Sequence, residues 1–407
     1  MTTIVIAGGG LAGAKAAETL RAEGFDGAVV LFGSEPVRPY ERPPLSKGYL
    51  LGKADRDSVF VHPARWYHEH DVDLRTGVEV AMIDPAAHLV TFDGGTLGYD
   101  KLLLATGASA RRVDIPGAGL QNVRYLRTLP ESEALRAGFT PRARVVIVGA
   151  GWIGLETAAA ARTAGSSVTI LEPESTALTR ALGPELGAKF AELHRSRGVQ
   201  LRFGESAAEF LAVGPGAARV GSVVTSSGAE LPADLVVVAV GVVPNDRLAR
   251  AAGLDVDNGV VTDSALRTSD PDIFAAGDVA NSYLPVLGRH VRVEHWANAL
   301  NGGKAAATSM LGQQVVYNRV PYFFSDQYDL GMECAGLPLP GSYDEVVYRG
   351  DSTSQQYIAF WLHKSHLIAG MNVNVWDVND EIASLISSGK TMDPARLADS
   401  NIPLSEV

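Results

Sequence analysis

The chain begins with a short apolar run, a glycine-rich turn and an alanine-rich stretch. Residues 3–7 are apolar enough for a buried strand, the turn closes at Gly13, and residues 14–20 have the spacing of a helix. A second apolar run covers 29–33 and is followed by Glu35. Strand, helix and strand predict a βαβ unit, whose parallel strands lie in a sheet with helices on both faces.

The same pattern returns in the middle of the chain. Residues 144–148 form an apolar run, the glycine-rich turn closes at Gly154, and a helix is predicted over 155–163. Another apolar run over 168–171 ends on Glu172. Two copies of one βαβ pattern predict two nucleotide-binding domains.

Three further apolar runs indicate how these domains are arranged along the chain. Residues 102–107 and 235–241 each have the character of a closing strand, and a third such run covers 273–278. Because the third run follows the second domain, we predict that the first domain is discontinuous and that the second is inserted into it. The predicted boundaries are 1–110 with 245–319 for the first domain, and 111–244 for the second.

The last part of the chain has a different pattern. From residue 320 onward, alternating or β-rich stretches cover 343–349, 356–362 and 367–375, and a helix is predicted near 380–388. The expected fold class is therefore α/β, with two Rossmann-like dinucleotide-binding domains and a C-terminal α+β domain over 320–407.

Charge and hydropathy narrow the class of protein. The 407 residues include 46 acidic and 35 basic side chains, for a formal net charge of −11. A nucleic-acid binder is not expected, because such proteins carry a basic excess or stripe. The longest apolar run, 235–243, is far shorter than the roughly 18 residues of a membrane span. With no signal-peptide pattern before the first strand, we expect a cytoplasmic protein that does not act at a membrane.

The chain contains a single cysteine, Cys334. One cysteine cannot form an internal disulfide, a CxxC redox pair or a thiolate metal cage. We expect Cys334 to pack as a small hydrophobic residue. No metal site is expected either, because His62, His68 and His70 lack metal-ligand spacing.

Both glycine-rich turns have the context that a dinucleotide site requires, which is a preceding strand, a following helix and a later acidic residue. Their glycines permit a tight turn, close approach of a pyrophosphate and close packing of helix on strand. The alternative is a tight turn without a ligand. Glu172 is expected to bind the ribose hydroxyls of NADH and to repel the 2′-phosphate of NADPH, unless it is simply a solvated charge.

The sequence resembles the NADH-dependent, FAD-containing ferredoxin reductases of oxygenase systems over essentially its whole length. PPLSK and the segment that ends in AAGD are specific to this branch. The resemblance implies a glutathione-reductase-like fold with FAD in the first domain and NADH in the second. It rests on residues 39–47 (PYERPPLSK), 104–107 (LATG), 125–128 (YLRT), 149–156, 241–245 (GVVPN), 268–278, 293–299 (VEHWANA) and 325–328 (SDQY).

The resemblance also implies which residues contact FAD. Ser34 departs from the pattern, since many relatives carry Asp there, and Glu35 is expected to take over the ribose contact. Asp278, predicted at the carboxyl end of a strand, suits the ribityl hydroxyls, although it could instead cap the segment that follows. The implied FAD contacts are Gly8, Gly10, Ala12, Gly13, Ser34, Glu35, Arg42, Lys47, Val80, Arg127, Asp278 and Trp296.

A second set of residues is implied for NADH and for catalysis. Lys47 is expected to be a fixed cation near flavin N5, paired with Glu156, and the alternative is a solvated lysine. The helix start after His295 is expected to stabilise negative charge on the reduced flavin. The implied NADH contacts are Gly149, Gly151, Ile153, Gly154, Glu156, Glu172, Arg180 and Gly241.

The implied reaction is hydride transfer from NADH to flavin N5, followed by single-electron transfer to a 2Fe–2S ferredoxin that serves a cytochrome P-450 or a Rieske oxygenase. No sulfur is available as a relay, so electrons are expected to leave the flavin directly. Because such ferredoxins are acidic, Arg65, Arg289 and Arg292 are candidates for a local basic docking patch. A monomer or weak homodimer is expected.

Two alternatives stay open at this stage. The acceptor could be rubredoxin, monodehydroascorbate, a quinone or oxygen. An apoptosis-inducing-factor-like binding protein shares the PPLSK pattern, but the missing basic stripe and targeting segment disfavour it. Tyr322 and Phe324 stand where relatives often carry tryptophan, so partner specificity is expected to differ.

Overall fold

A computed structural model describes residues 2–214 and 216–407. Within these residues the strands, in chain order, are β1 Thr3–Ala7, β2 Ala28–Gly33, β3 Val72–Thr76, β4 Val80–Asp84, β5 Leu89–Phe92, β6 Gly95–Gly98, β7 Lys101–Leu104, β8 Ala108–Ala110, β9 Val123–Arg124, β10 Arg144–Val148, β11 Ser167–Glu172, β12 Gln200–Phe203, β13 Ala207–Ala212, β14 Val220–Thr225, β15 Glu230–Pro232, β16 Leu235–Val238, β17 Val242–Pro244, β18 Val260–Thr262, β19 Ile273–Ala275, β20 Ala280–Leu284, β21 Arg289–Arg292, β22 Tyr322–Gln327, β23 Leu330–Gly336, β24 Glu345–Asp351, β25 Gln356–His363 and β26 His366–Val373.

The α-helices of the same residues are α1 Leu11–Ala22, α2 Ala64–Glu69, α3 Leu129–Gly138, α4 Trp152–Thr163, α5 Thr179–Leu182, α6 Pro184–Ser196, α7 Arg247–Ala251, α8 Trp296–Met310, α9 Asn379–Ser388 and α10 Pro394–Ala398. Short 3-10 helices cover Pro43–Ser46, Arg56–Val59, Gly277–Val279, Pro285–Leu287 and Leu404–Glu406. None of the helices in the described ranges combines the length and apolar character that a bilayer crossing requires.

The chain forms two compact units. The first unit contains Met1–Arg42, Arg56–Ser109 and Val242–Pro321, and the second contains Pro43–Asp55, Ala110–Gly241 and Tyr322–Val407. The short segment Pro43–Asp55 thus belongs to the second unit although it lies inside the predicted first domain. The division into FAD-binding, NADH-binding and C-terminal domains stays a prediction.

The first unit is built on a parallel sheet in the order β19-β7-β1-β2-β3. Successive side chains of β1 enter different apolar clusters, with Ile4 and Ile6 in one and Val5 and Ala7 in the other. Since alternate residues of a strand point to opposite faces, both faces of this sheet are buried. This explains why the sequence shows unbroken apolar runs there.

The second unit repeats this architecture. Its parallel sheet has the order β12-β11-β10-β16-β9. Val145 and Ile147 of β10 join one apolar cluster, and Val146 and Val148 join the other. In both parallel sheets, the carboxyl ends of the strands lie next to a glycine-rich turn, where open α/β sheets bind ligands.

The C-terminal part adds an antiparallel sheet in the order β22-β23-β26-β25-β24. Trp361 of β25 is fully buried and donates its indole N–H to the Leu182 carbonyl at 3.3 Å, which ties this sheet to the rest of the second unit. Strand β25 and helix α9 lie within one residue of the predicted bounds. The predicted α/β fold class with a C-terminal α+β part is confirmed.

Candidate functional site

The glycine turn of the first unit leaves an open space in front of helix α1. Gly8 has a φ of +135°, and a Cβ there would lie 2.0 Å from the Ala105 carbonyl oxygen. A Cβ on Gly13 would lie 2.1 Å from the Gly8 carbonyl oxygen, whereas one on Gly10 would meet no atom within 4 Å. Gly10 precedes α1 and supplies no side-chain cap for its amides. The turn therefore fits the pyrophosphate of a dinucleotide.

The glycine turn of the second unit has the same geometry. Gly149 has a φ of +104°, and a Cβ on Gly154 would lie 2.1 Å from the Gly149 carbonyl oxygen. Gly151 precedes α4 without a side-chain cap, and a Cβ on it would meet no atom within 4 Å. Both helices begin three residues earlier than predicted, so the third glycine of each motif lies inside the helix, where close packing excludes any larger residue.

An acidic residue follows the second strand of the first unit. Glu35 lies two residues beyond β2 and accepts hydrogen bonds from the Tyr40 hydroxyl at 2.6 Å and from the Arg42 guanidinium at 3.3 Å. Ser34, just before it, is exposed. The structure thus brings Glu35 and Arg42 together, and the Glu35 carboxylate is held where the sequence predicts a ribose contact.

Asp278 and Trp296 also lie at element ends of the first unit. Asp278 follows β19 in the 3-10 helix Gly277–Val279, and Trp296 is the first residue of α8. The 15-residue helix α8 begins after His295 without a side-chain cap, so its positive dipole end is available to negative charge. Burial lowers the pKa of His295 to about 4, which keeps this imidazole neutral at pH 7.

Two other predicted FAD contacts of the first unit have clear packing roles. Val80 is buried at the start of β4. Ala12 lies under α8, where a Cβ on Gly303 would be 2.2 Å from the Ala12 carbonyl oxygen. Arg127 lies in the second unit just before α3, and its backbone N–H donates to Glu131 at 2.9 Å.

One candidate for a docking patch is not on the surface. The side chain of Arg292 is only 8% exposed, and its guanidinium forms an ion pair with Glu294 at 2.5 Å and donates to the Asp278 carbonyl at 3.2 Å. The prediction that Arg292 contributes to ferredoxin docking is therefore wrong, because internal partners hold its charge. Arg65 is 80% exposed, and Arg289 is also exposed.

Glu172 is held at the end of β11 by backbone amides. One carboxylate oxygen accepts the Ala150 N–H at 2.7 Å and the other accepts the Glu174 N–H at 3.0 Å. Since a carboxylate offers about four lone-pair positions, Glu172 keeps acceptor capacity for ribose hydroxyls. It also braces the glycine turn through Ala150, a role that sequence reasoning missed.

The other predicted NADH contacts lie in the same unit. Ile153 is 40% exposed in the first turn of α4. Gly241 follows β16 with a φ of +94° and is exposed. The Arg180 side chain is 82% exposed and forms an ion pair at 2.8 Å with Glu174, which lies two residues beyond Glu172.

Lys47 and Glu156 form a buried ion pair within the second unit. Their side chains are 13% and 2% exposed, and the Lys47 ammonium lies 2.8 Å from Glu156 Oε1. Lys47 follows the 3-10 helix Pro43–Ser46, whereas Glu156 is buried inside α4. The predicted pair is present, and the alternative of a solvated lysine does not apply.

Two serines donate hydrogen bonds to the Glu156 carboxylate of this pair. The sequence alone did not indicate either of them as a site residue. The Ser46 hydroxyl donates to Glu156 Oε2 at 2.5 Å, and the Ser325 hydroxyl donates to Glu156 Oε1 at 2.7 Å. Lys47 Nζ also lies 5.0 Å from the centroid of the Phe324 ring. The Glu156 carboxylate thus accepts three hydrogen bonds despite its burial, and these offset the cost of keeping its charge inside the protein.

Cys334 is fully buried, and burial raises the pKa of its thiol. A thiol in this state is inert as a nucleophile, which confirms the prediction that Cys334 packs as a hydrophobic residue. Among residues 2–214 and 216–407, no group of three or more His, Cys, Asp or Glu side chains is placed to hold a metal ion.

Family comparison separates the C-terminal sheet from the rest of the chain. Residues 2–303 match the family described as pyridine nucleotide-disulphide oxidoreductase, and residues 322–407 match the family described as reductase C-terminal. FAD and NAD(H) are the cofactors of this oxidoreductase family, as the sequence predicts.

Similar proteins come from oxygenase systems. The chain is 40% identical over 402 residues to the anthranilate 1,2-dioxygenase system ferredoxin–NAD(+) reductase component of Burkholderia cepacia, covering 98% of each protein. It is 36% identical to putidaredoxin reductase of Pseudomonas putida, covering 99% of this chain and 96% of that one.

Solved structures extend this similarity to the fold. The crystal structure of the covalent putidaredoxin reductase–putidaredoxin complex matches with a TM-score of 0.95 at 36% identity, covering 100% of this chain and 97% of that one. The ferredoxin reductase for the CYP199A2 system of Rhodopseudomonas palustris matches with a TM-score of 0.94 at 36% identity, covering 100% and 99%. The chain therefore belongs to the pyridine nucleotide-disulphide oxidoreductase family, in the group of flavoprotein reductases that transfer electrons from NAD(P)H to the ferredoxins of oxygenase systems.

Proposed function

We propose that this protein oxidises NADH and reduces a 2Fe–2S ferredoxin, which in turn supplies a cytochrome P-450 or a Rieske oxygenase. The observation that carries the proposal is that each unit has a glycine turn with room for a dinucleotide, which we call its cradle: residues 8–13 in the first unit and residues 149–154 in the second. In each unit an acidic residue follows the next strand, Glu35 in the first and Glu172 in the second. Overall, one NADH releases two electrons and a proton, and two ferredoxins each accept one electron.

The first cradle is assigned to FAD. Gly8, Gly10 and Gly13 leave room for its pyrophosphate, and the Glu35 carboxylate, which Tyr40 holds at 2.6 Å, would accept hydrogen bonds from the ribose. Asp278 supports the assignment because it lies at the carboxyl end of β19. Bound FAD supplies the ability to accept two electrons together and to release them one at a time. The other FAD contacts stay predictions on the family resemblance: Ala12, Ser34, Arg42, Lys47, Val80, Arg127 and Trp296.

The second cradle is assigned to NADH rather than NADPH. Glu172 presents a fixed negative charge where the adenosine ribose is expected, and that charge opposes a 2′-phosphate. The exposed Arg180 forms its ion pair with Glu174 and not with Glu172. The other NADH contacts stay predictions on the family resemblance: Gly149, Gly151, Ile153, Gly154, Glu156, Arg180 and Gly241.

The acceptor is assigned to a ferredoxin because the similar proteins act with that class, and the single cysteine of the chain is consistent with direct electron transfer. Cys334 is buried, and the sequence holds no second cysteine. Electrons therefore leave the flavin without a dithiol step. The similar proteins from anthranilate dioxygenase and putidaredoxin systems support the same acceptor class. A cytoplasmic location and a monomeric or weakly dimeric state belong to this proposal.

Two matched substitutions test the assignment of the cradles. Gly10→Glu and Gly151→Glu each place a carboxylate in open space, where the added Cβ meets no atom within 4 Å, so the fold is expected to be kept. We expect Gly10→Glu to purify without FAD. Gly151→Glu is expected to keep FAD but to lose its anaerobic bleaching by NADH, because a carboxylate repels the pyrophosphate.

Cofactor content after denaturation, the visible spectrum and circular dichroism provide the readouts. Exchange of the two phenotypes would reverse the assignment of the units. Retention of FAD and of NADH-driven bleaching in both folded variants would show that neither cradle binds a dinucleotide.

A further inference from the structure

A row of buried polar side chains lies behind the Lys47–Glu156 pair in the second unit. Ser325 and Gln327 are both 0% exposed, and they lie two residues apart on β22, so they share one face of the strand. Their side chains are joined by a hydrogen bond of 3.1 Å between Gln327 Nε2 and Ser325 Oγ. On the other side, Gln327 Oε1 lies 2.9 Å from Nε2 of His194, a fully buried residue of α6.

The row ends at a tyrosine near the surface. The Tyr328 hydroxyl lies 3.4 Å from His194 Nδ1, and the ring is half-buried. The Arg197 guanidinium lies 5.3 Å from the centroid of that ring and forms an ion pair with the exposed Asp329. Arg162 is a further charged group close enough to act on Tyr328.

The chemistry of the donors fixes the direction of every hydrogen bond in the row. The Lys47 ammonium can only donate, and the Glu156 carboxylate that it contacts accepts, so Ser325 must use its one proton toward Glu156. Ser325 Oγ then accepts from the amide NH₂ of Gln327. The amide oxygen of Gln327 consequently faces His194, whose Nε2 must carry a proton to donate.

The state of His194 agrees with this direction. Burial lowers the pKa of His194 to about 4, so the imidazole is neutral at pH 7 and carries one proton. With that proton on Nε2, Nδ1 is an acceptor for the Tyr328 hydroxyl. Burial raises the pKa of Tyr328 to about 12, so this hydroxyl keeps its proton.

We propose that His194, Gln327 and Tyr328 are positioning residues, which act through Ser325 to fix the Glu156 carboxylate and thereby the Lys47 ammonium. Glu156 Oε1 is shared by Lys47 and Ser325, at 2.8 Å and 2.7 Å, so a shift of Ser325 moves the oxygen that holds the cation. Each side chain of the row donates a hydrogen bond to the next one, in the order Tyr328, His194, Gln327, Ser325 and Glu156. It is a positioning row and not a proton relay, because the Gln327 amide does not pass protons on.

Each member depends on its neighbours because all of them except Tyr328 are completely buried. Removing one side chain leaves a donor or acceptor unsatisfied, which is costlier than the loss of a hydrogen bond at the surface. The row therefore has one low-energy arrangement. Its effect on flavin reduction rests on the proposed function, whereas the tautomer of His194 does not.

The first test measures that tautomer directly. In the full-length protein labelled with ¹⁵N-histidine, the His194 ring is assigned by its loss in His194→Gln and followed by NMR between pH 5.5 and 8. We expect a neutral ring with its proton on Nε2 over this whole range. A proton on Nδ1, or titration near the ordinary histidine pKa of about 6.5, would overturn the proposed direction of donation.

The second test measures positioning with the FAD-loaded protein. Gln327→Leu is expected to slow flavin reduction at saturating NADH by about tenfold while KM for NADH changes by less than about twofold, because the cation is misplaced but NADH contacts are kept. The His194 tautomer is expected to become mixed in the same variant. In His194→Gln the new amide can still donate to Gln327. We expect this variant to reduce its flavin at a rate between those of the wild type and Gln327→Leu.

Ser166→Ala is the matched control in the same unit. Ser166 is fully buried, and its hydroxyl donates to the Thr140 carbonyl at 2.9 Å, so it makes no hydrogen bond to a side chain of the row. Its loss is expected to lower the melting temperature as Gln327→Leu does, but to leave the reduction rate unchanged. Equal rates for folded Gln327→Leu and Ser166→Ala would overturn the positioning role. If the wild type itself is not reduced by NADH, the proposed function fails while the tautomer test still stands.

Discussion

Lys47→Met is expected to slow the reduction of bound flavin by NADH by about a hundredfold, as measured by anaerobic stopped flow. The Lys47 ammonium is fixed by Glu156 at 2.8 Å and by the face of Phe324, so it is a preorganised charge. Methionine keeps the length of the side chain and removes the charge. FAD content is expected to be retained, because the glycine cradle of the first unit is unchanged.

The stability of this variant needs its own control, since the substitution leaves the buried Glu156 carboxylate without its cation. Lys47→Met combined with Glu156→Gln removes both charges. The glutamine oxygen can still accept from Ser325, and its NH₂ group faces Ser46, whose hydroxyl can donate to the Pro43 carbonyl at 3.3 Å instead. We expect the double variant to melt at a higher temperature than Lys47→Met alone and to stay slow. A folded, FAD-loaded Lys47→Met that is reduced at the wild-type rate would rule out a role for this charge.

Glu172→Gln is expected to lower kcat/KM for NADH by about tenfold and to raise kcat/KM for NADPH by a similar factor, because the like charge opposing the 2′-phosphate is removed. Glutamine keeps one oxygen that can accept the Ala150 N–H, so the glycine turn stays braced. Steady-state kinetics with both nicotinamides give the ratio of kcat/KM for NADH to kcat/KM for NADPH.

Glu192→Gln serves as the control for a change of net charge. Glu192 is 72% exposed on α6, where its carboxylate lies 3.6 Å from Arg195. The Glu192→Gln substitution removes one negative charge from the same unit without contacting the glycine turn. The kcat/KM values for NADH and for NADPH are both expected to stay the same. The specificity account fails if the wild type prefers NADPH or if Glu172→Gln leaves the ratio unchanged.

Much of the fold could be predicted from local pattern. The apolar runs at β1 and β10 are continuous because both faces of each parallel sheet are buried. The glycine turns could be placed from the sequence because Gly8 and Gly149 have positive φ, which glycine adopts most easily. This requirement is set by the local backbone and therefore leaves a mark in the local sequence. Helix starts were harder to predict, since a glycine within the first turn lowers the helical signal.

The residues around Glu156 could not be predicted in the same way. Ser46 and Ser325 are 110 and 169 positions away from Glu156, and a single serine in a strand or turn carries no pattern. His194 and Gln327 likewise meet only through the tertiary fold. The burial of Arg292 was missed because an arginine near a strand end is usually solvated.

Electron transfer from NADH to a ferredoxin is tested most directly by NADH oxidation in air, with and without an oxidised 2Fe–2S ferredoxin from an oxygenase system. We expect oxidation with oxygen alone to be slow, and ferredoxin to raise the rate by at least about tenfold. With oxygen excluded, two ferredoxins are expected to be reduced per NADH consumed. Fast oxygen consumption that ferredoxin does not stimulate would contradict the proposed role of ferredoxin as the electron acceptor.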